Sequence, residues 1–390
     1  MLEIRLPGSK SISTRALTCR AVSGLDIALP GLTQCDDTVA LAKAFDTLAT
    51  HDKAEIDIGS GAAPLRFFIA VAASMPGKEV TISCSPQLAR RPHSPLICAL
   101  RSLGADITEL SGGQLHIRGR KLERGRVDID ASMSSQFISA LMLASPLWKH
   151  PLSLHITTDK CVSAPYIRMT GEVMRLFREA VADGHLVIPI EPDWSAASYI
   201  YEAVALGADS MPSVFIPGLL PMKHSIQGDA RCAEIFAPFV DTNFTPEGAV
   251  LTRRQSADAG PTDIDMGDIP DLVPAYAATL CGLGIPFTIS GIAHLRHKES
   301  DRTAALVSEL GHMGYALKAE GTDTLRGFGI RPLNTFNEKA IDVSAHGDHR
   351  MAMALTMLAE GTNTRIRLDD ESVVSKSFPD FFDIVRCLKS

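Results

Sequence analysis

"GAAPLRFFIAVAASMPGKEVTIS", Gly61 to Ser83, runs from a small polar start through an Ala- and Phe-rich stretch to a Pro-Gly turn and then a β-type run. The next stretch, "RPHSPLICALRSLGADITELSGGQLHIRG" from Arg91 to Gly119, supplies a second helix with apolar residues at three- and four-residue steps. It ends in a hairpin whose Gly-Gly sits between two alternating strands. The pattern predicts a β-α-β-α-β-β unit. The polar start, helix, turn and strand recur at Ser11–Leu29, Ser135–Ile156, Ser195–Ile216, Asp271–Ile289 and His349–Leu368. In each copy the strand begins about 16 to 19 residues after the polar start, enough for a three-turn helix and a turn. Second helices follow at "DDTVALAKAFDTLA", "YIRMTGEVMRLF" and "ESDRTAALVSELGHMG". About six such units are expected, at a period too irregular for a solenoid. The third is expected to be truncated, because "REAVADGHLVIPIEP" is too short for a full hairpin. Three units per domain divide the chain near Glu191.

The 390 residues are too many for one ordinary core, so two domains are expected in an α/β fold. A hydrophobic content of 45% supports sizeable cores, and 21% charged residues argue against long disorder. No window of eighteen uncharged apolar residues occurs, and the N-terminus lacks a basic patch followed by an apolar run, so neither a membrane span nor secretion is expected. The eight cysteines are scattered at 19, 35, 84, 98, 161, 232, 281 and 387 without a C-x-x-C pair, which predicts reduced thiols in a cytoplasmic protein. A formal charge of -7 disfavours a nucleic-acid binder and requires any anion site to gather its cations locally.

Such gathering occurs at the unit starts. "LPGSKSISTRAL", Leu6–Leu17, places Lys10, Ser11 and Arg15 around a helix start, with Ser11 or Ser13 as N-cap and Gly24 closing the helix. Free amides and the helix dipole attract anions at such a start. "SMSSQFISA" brings Ser134, Ser135 and Gln136 to another, and "SAPYI" places Ser163 and Tyr166 ahead of a third. Arg66 lies in "SGAAPLRFF", Arg90 and Arg91 in "ARRPHSP", Lys298 and Arg302 in "HLRHKESDR", Arg350 in "HGDHRMAM" and Lys376 in "VSKSFPDFF". Arginine offers a planar fork to phosphate or carboxylate, lysine a point charge. Read as helix, "KESDR" sets Lys298 four residues and Glu299 three residues before Arg302. Asp271 in "GDIPDLVPA" opens an apolar helix, where an N-cap role competes with a chemical one. Asp271 and Glu299 together would supply an acid and a base. His346 and His349 lack a third ligand motif, and the acids Asp263, Asp265, Asp268 and Asp271 read as a solvated loop, so no metal is expected. Neither a P-loop nor a strand-linked G-x-G-x-x-G is present.

In order along the chain, "LPGSKSISTRAL", "SSQFISALMLASP", "SAPYI", "IEPDWSAASY", "IQGDAR", "IPDLVPA", "KESDR", "DHRMAMAL" and "KSFPDFF" resemble the 5-enolpyruvylshikimate-3-phosphate synthase family. The resemblance implies a two-domain enolpyruvyl transferase fold, each domain built from three β-α-β-α-β-β units. Residues 1–15 plus 191–390 would form one domain and 16–190 the other, with the active site in the cleft between them. It implies transfer of the enolpyruvyl group of phosphoenolpyruvate to the 5-hydroxyl of shikimate 3-phosphate. Addition gives a tetrahedral intermediate and elimination releases phosphate, without metal or organic cofactor. Asp271 would accept the hydroxyl proton, Glu299 would donate toward C3, and Lys10 would lie close to both substrates. Shikimate 3-phosphate would be held by Lys10, Ser11, Arg15, Ser134, Ser135, Gln136, Ser163, Tyr166, Asp271 and Lys298. Phosphoenolpyruvate would be held by Lys10, Ala62, Arg91, Gln136, Arg302, Arg350 and Lys376. A monomer in the cytoplasm, without nucleic-acid or membrane partners, is expected.

Two positions depart from the family pattern. Ala62 stands where relatives carry a glycine, narrowing the phosphoenolpyruvate pocket and implying weaker inhibition by glyphosate. His294 stands where relatives often have Asn. Two rivals remain open. The related transferase acting on UDP-N-acetylglucosamine uses a lysine–asparagine pair and a loop cysteine, where this chain has "SKS" and no comparable motif around Cys84 or Cys98. A catalytically inactive homologue would still bind a phosphorylated metabolite, but the retained Asp271 and Glu299 argue against it.

Overall fold

The structure, a computed structural model, describes residues 1–158, 162–207, 212–255, 260–331 and 339–389. The chain divides into an N-terminal unit, Gly8–Ile190, and a C-terminal unit, Met1–Pro7 with Glu191–Ser390. The resemblance implies a first crossing after Arg15; by its internal contacts the chain divides between Pro7 and Gly8. The reason is packing: the helix carrying Arg15 lies against four other helices of the N-terminal unit.

Strand β1 (Leu2–Glu3) belongs to the C-terminal unit. The N-terminal unit begins with α1 (Lys10–Ser23) and α2 (Asp36–Thr50). Next come β2 (Lys53–Asp57), α3 (Ala62–Ala73), β3 (Glu79–Ser83), α4 (Pro86–Ala89), α5 (Ser94–Ser102), β4 (Asp106–Glu109) and β5 (Leu115–Arg118). These form a four-stranded sheet ordered β2-β3-β5-β4, parallel at its first pair and antiparallel at the other two. The hairpin turns at Gly112 and Gly113, both at positive φ, which glycine adopts without a Cβ penalty. Then β6 (Arg126–Ile129), α6 (Gln136–Ala144), β7 (Ser153–Ile156) and α7 (Ala164–Ala182) form a parallel strand pair and its helices.

The C-terminal unit repeats this plan. It contains α8 (Trp194–Leu206), β8 (Val214–Pro217), α9 (Cys232–Ile235), β9 (Val240–Thr245) and β10 (Gly248–Arg253). With β1 they make the sheet β1-β8-β10-β9. Next, β11 (Thr262–Asp265), α10 (Val273–Leu283), β12 (Pro286–Ser290), α11 (Arg302–His312), β13 (Leu317–Glu320) and β14 (Thr324–Phe328) make β11-β12-β14-β13. Finally, β15 (Ile341–Val343), α12 (His349–Gly361), β16 (Ile366–Leu368) and α13 (Phe381–Lys389) add a second parallel pair.

The fold is therefore α/β, but of the six expected units the described residues complete three as four-stranded sheets. The third and sixth stop at a strand pair with its helices. In the third, Gly184–Ile190 is too short for a hairpin and makes a bridge from Val187 to Ala28. The first unit has no sheet of its own beyond that bridge.

Three helices form the heart of each unit. In the C-terminal unit α8, α10 and α12 pack on one another. Every residue of α8 is buried, as is all of α10 except Leu283. Such helices have no solvent face, so their sequences are apolar all round. In the N-terminal unit α1, α3 and α6 play the same part. Polar side chains are thereby pushed to helix starts, where free amides can use them. Among the described residues no helix is long and apolar enough to cross a membrane.

Glu202 breaks this rule. It lies in the middle of α8, fully buried, and neither carboxyl oxygen has a hydrogen-bond partner. Burial pushes its carboxyl well above the usual range. The folded state therefore binds this proton more tightly than the unfolded chain. Its favourable linkage is complete below the unfolded carboxyl pKa and is lost as pH rises, at up to about 1.4 kcal/mol per pH unit. Glu202→Gln mimics the protonated acid and is expected to raise Tm over the parent by a margin that grows from pH 5 to pH 8. Thermal melts at the two pH values test this, and a margin that does not change with pH would contradict it.

Candidate active site

In the N-terminal unit the polar residues at the starts of α1, α3 and α6 form one cluster. Ser9, not Ser11 or Ser13, caps α1: its side chain accepts from the Ile12 amide, and Gly24 closes the helix in the left-handed region. Lys10 Nζ lies 3.1 Å from Asp37 Oδ2 on α2. Gly61 precedes α3 against the same carboxylate, since a Cβ there would come within 2.7 Å of Asp37 Oδ1. Ala62 is the buried first residue of α3.

Arg15 is 2% exposed and its fork is engaged by protein. It donates to the Ser11 carbonyl, Thr170 Oγ1, Ser139 Oγ and the Tyr166 carbonyl. Burial lowers its pKa to about 10, so it stays charged at neutral pH. Tyr166 lies inside the first turn of α7 rather than ahead of it, while Ser163 precedes that helix in a left-handed conformation.

Arg66, one turn into α3, is also buried. It donates to Gln136 Oε1 at 2.6 Å, Ser134 Oγ at 3.3 Å and the Pro92 carbonyl at 2.8 Å, and stacks over Phe137. Because the guanidinium can only donate, Gln136 must turn its oxygen toward Arg66, which leaves its amide nitrogen as the outward donor. Ser135 sits beside it, immediately before α6. Arg91 is only partly buried and lines, with His93, Ile82 and Leu115, a cavity of about 250 Å³. His93 donates Nε2–H to the Leu88 carbonyl, and burial lowers its pKa to about 4.

In the C-terminal unit the centre is Arg302, which begins α11 and is 1% exposed. It donates to Asp348 Oδ2 through Nε at 2.7 Å, to Asp271 Oδ1 through Nη1 at 2.9 Å and to Glu299 Oε2 through Nη2 at 2.7 Å. Burial opposes its charge, but these carboxylates outweigh burial and raise its pKa. Arg350 donates to Asp271 Oδ2 at 2.8 Å, and Lys298 Nζ lies 3.4 Å from Oδ1. Burial alone would push the Asp271 carboxyl up, yet the charges of Arg350, Lys298 and Arg302 hold it well below the usual range.

The expected helix over "KESDR" is not formed. The helix begins at Arg302 with Asp301 as N-cap, and Lys298 and Glu299 lie in the turn before it. Asp271 is likewise not a cap; it lies in a 3-10 turn, Pro270–Leu272, leading into α10. His294 is buried beside Lys298 and Asp271, and burial with the Lys298 charge lowers its pKa to about 3. Lys376, also buried, ends a 3-10 turn, Ser372–Lys376, packed on α12.

A family model for EPSP synthase (3-phosphoshikimate 1-carboxyvinyltransferase) matches residues 2–385. The chain belongs to the EPSP synthase family. It is 36% identical to the 3-phosphoshikimate 1-carboxyvinyltransferase of Bacteroides fragilis strain YCH46, across 98% of this chain and 94% of that protein. It is 30% identical to the enzyme of the same name from Aliivibrio salmonicida, across 98% of this chain and 95% of that one. An EPSP synthase structure from Acinetobacter baumannii shares the fold at a TM-score of 0.67 and 18% identity, covering 98% of this chain and 94% of that one.

Three residues of these clusters escape a reading by motif. Asp348 sits inside "HGDHRMAM" as the N-cap of α12, accepting from the Arg350 amide, but its bond to Arg302 joins residues 46 positions apart. Asp229, inside "IQGDAR", accepts from Ser195 Oγ, and burial together with the Asp271 charge raises its pKa to about 6. Asp37 gives no motif signal at all; a buried acid in the first turn of an apolar helix is the one hint. No group of three or more His, Cys, Asp or Glu suited to a metal occurs among the described residues. Arg66→Leu removes three donors from buried or half-buried acceptors and is expected to cost about 3 kcal/mol. Arg91→Leu, at a partly exposed site, should cost under about 0.5 kcal/mol. Urea unfolding of both variants checks the contrast, and equal losses would show that Arg66 is not the anchor.

Proposed function

We propose that the residues of these two clusters hold the substrates of a 3-phosphoshikimate 1-carboxyvinyltransferase. The chain transfers the enolpyruvyl group of phosphoenolpyruvate to shikimate 3-phosphate, in aromatic amino acid biosynthesis. The reading rests above all on one observation: a carboxylate, Asp271, held by two arginines and a lysine, with a second acid, Glu299, fixed by one of the same arginines.

Shikimate 3-phosphate is assigned to Ser11, Ser134, Ser135, Gln136, Ser163, Tyr166 and Lys298, with the buried Arg15 charge beneath Ser11. Phosphoenolpyruvate is assigned to Arg91, Arg302, Arg350 and Lys376, with Ala62 limiting the space beside it. Lys10 serves both. The substrate 5-hydroxyl oxygen forms a bond to C2 of phosphoenolpyruvate while its proton passes to Asp271. The π electrons of the C2–C3 bond take a proton from Glu299 at C3. In the second half, the C2–O bond to phosphate breaks with its electrons, a C3 proton leaves to a carboxylate, and the double bond returns. Both halves move a proton, which is why two positioned carboxyl groups are needed. Cations in a dry site offset the charge on phosphate as it departs. The protein is assigned as a monomer acting in the cytoplasm.

Phosphate release from shikimate 3-phosphate and phosphoenolpyruvate tests the activity. Asp271→Asn and Glu299→Gln are each expected to lower kcat by about 10² or more. Parent-like kcat in both would overturn the assigned roles. No release with the natural substrates, but release with UDP-N-acetylglucosamine as acceptor, would point to the related transferase.

A further inference from the structure

Glu309 lies two turns beyond Arg302 on α11, so the two side chains share the helix face turned into the unit. Glu309 is 3% exposed. Both residues bind the same short segment. Arg302 takes Asp348; Glu309 accepts from the Ser344 amide through Oε2 at 2.9 Å and from His346 Nε2 through Oε1 at 2.8 Å. His312 Nδ1 approaches the same carboxylate at 3.3 Å. On the other side of the segment, Asp369 accepts from Ser344 Oγ and from the Ala345 amide.

This segment, Ser344–Asp348, is backbone of an uncommon kind. His346 and Gly347 are both in the left-handed region, at φ of 53° and 64°. For Gly347 that is ordinary; for a residue with a Cβ it is strained, and surrounding contacts must hold it there. The segment ends in the Asp348 amide donating to the Ala345 carbonyl, and α12 starts at once. Asp348 then fixes Arg302, and Arg350 reaches Asp271. Burial alone would push the Glu309 carboxyl up, but the Ser344 amide and His346 outweigh it and hold its pKa below the usual range, so Glu309 is an anion clamped by the turn.

We propose that Glu309, acting through His346 and the Ser344 amide, is the positioning residue that sets the start of α12 and with it the placement of Arg350 for phosphoenolpyruvate. This rests on the assignment of Arg350 to that substrate. Glu309 touches no reacting group; it determines where the arginine sits.

The test compares the Michaelis constants of both substrates in Glu309→Gln and His346→Gly. The first keeps the size of the buried side chain. The second removes the imidazole while leaving the left-handed backbone with the residue that tolerates it best, so folding should survive. KM for phosphoenolpyruvate is expected to rise about tenfold in each, with KM for shikimate 3-phosphate within twofold of the parent. The double variant should show little more than either single one, because both remove the same link. A merely structural role would lower Tm without separating the two constants. KM for phosphoenolpyruvate within twofold of the parent in both variants, or both constants rising together, would overturn the proposal. Arg350→Gln measured alongside separates the two readings. If it raises KM for phosphoenolpyruvate while Glu309→Gln and His346→Gly do not, the clamp alone fails. If Arg350→Gln leaves that constant unchanged, the substrate assignment fails first.

Discussion

A guanidinium almost wholly out of water organises the charged groups of the C-terminal unit. Burying a charge costs several kcal/mol, and one partner seldom repays it. Arg302 is repaid by three carboxylates from three separate elements. Asp271 comes from the turn before α10, Glu299 from the turn before α11, and Asp348 from the start of α12. Removing any one leaves charge uncompensated in the interior, a loss of about 3–5 kcal/mol. The same pairing that the protein needs for stability therefore fixes the distance between the proposed base and the proposed acid. Nothing about the reaction is required to explain why these groups converge; desolvation of Arg302 is enough.

The N-terminal unit solves a related problem with neutral partners. Arg66 is as deeply buried as Arg302, yet its acceptors are an amide, a hydroxyl and a carbonyl. Arg15 is likewise held by the hydroxyls of Thr170 and Ser139 and by two carbonyls. One unit thus presents cations balanced by acids able to move protons. The other sets its buried arginines against serines and Gln136 and pairs Lys10 with Asp37. In the C-terminal unit α8 and α10 are apolar nearly all round, so polar groups gather at helix ends, where N-termini favour anions; in the N-terminal unit α1 instead carries Ser13, Thr14, Arg15 and Thr18 buried within it.

How much of this could be read from the chain alone follows from the range of each interaction. The complete unit around Gly61–Gly119 was legible because its signals are local: helix period, Pro-Gly turn, and a Gly-Gly hairpin whose glycines take positive φ. The starts of α6 and α1 were placed within a residue or two. What failed was finer or longer in range. Ser9 caps α1, so the chain enters the helix two residues earlier than a cap at Ser11 would set. "KESDR" looks helical by spacing, but Asp301 accepts from the Ala304 amide and starts the helix late. Asp348, Asp229 and Glu309 act through partners 34 to 46 positions away, and no periodicity in a single sequence encodes such pairs.

The depressed pKa of Asp271 bears on how a base can work among so many cations. In the free protein Arg350, Lys298 and Arg302 stabilise its anion so strongly that it holds a proton poorly. A good general base has a pKa nearer the working pH. On the proposed assignment, phosphoenolpyruvate would bring phosphate and carboxylate charge to the same arginines, and each arginine turned toward substrate would support the Asp271 anion less. Binding would then raise the proton affinity of that carboxylate when a hydroxyl proton has to be taken up. On that reading the substrate's own charge would tune the proposed base, without a carboxyl group whose pKa is permanently raised.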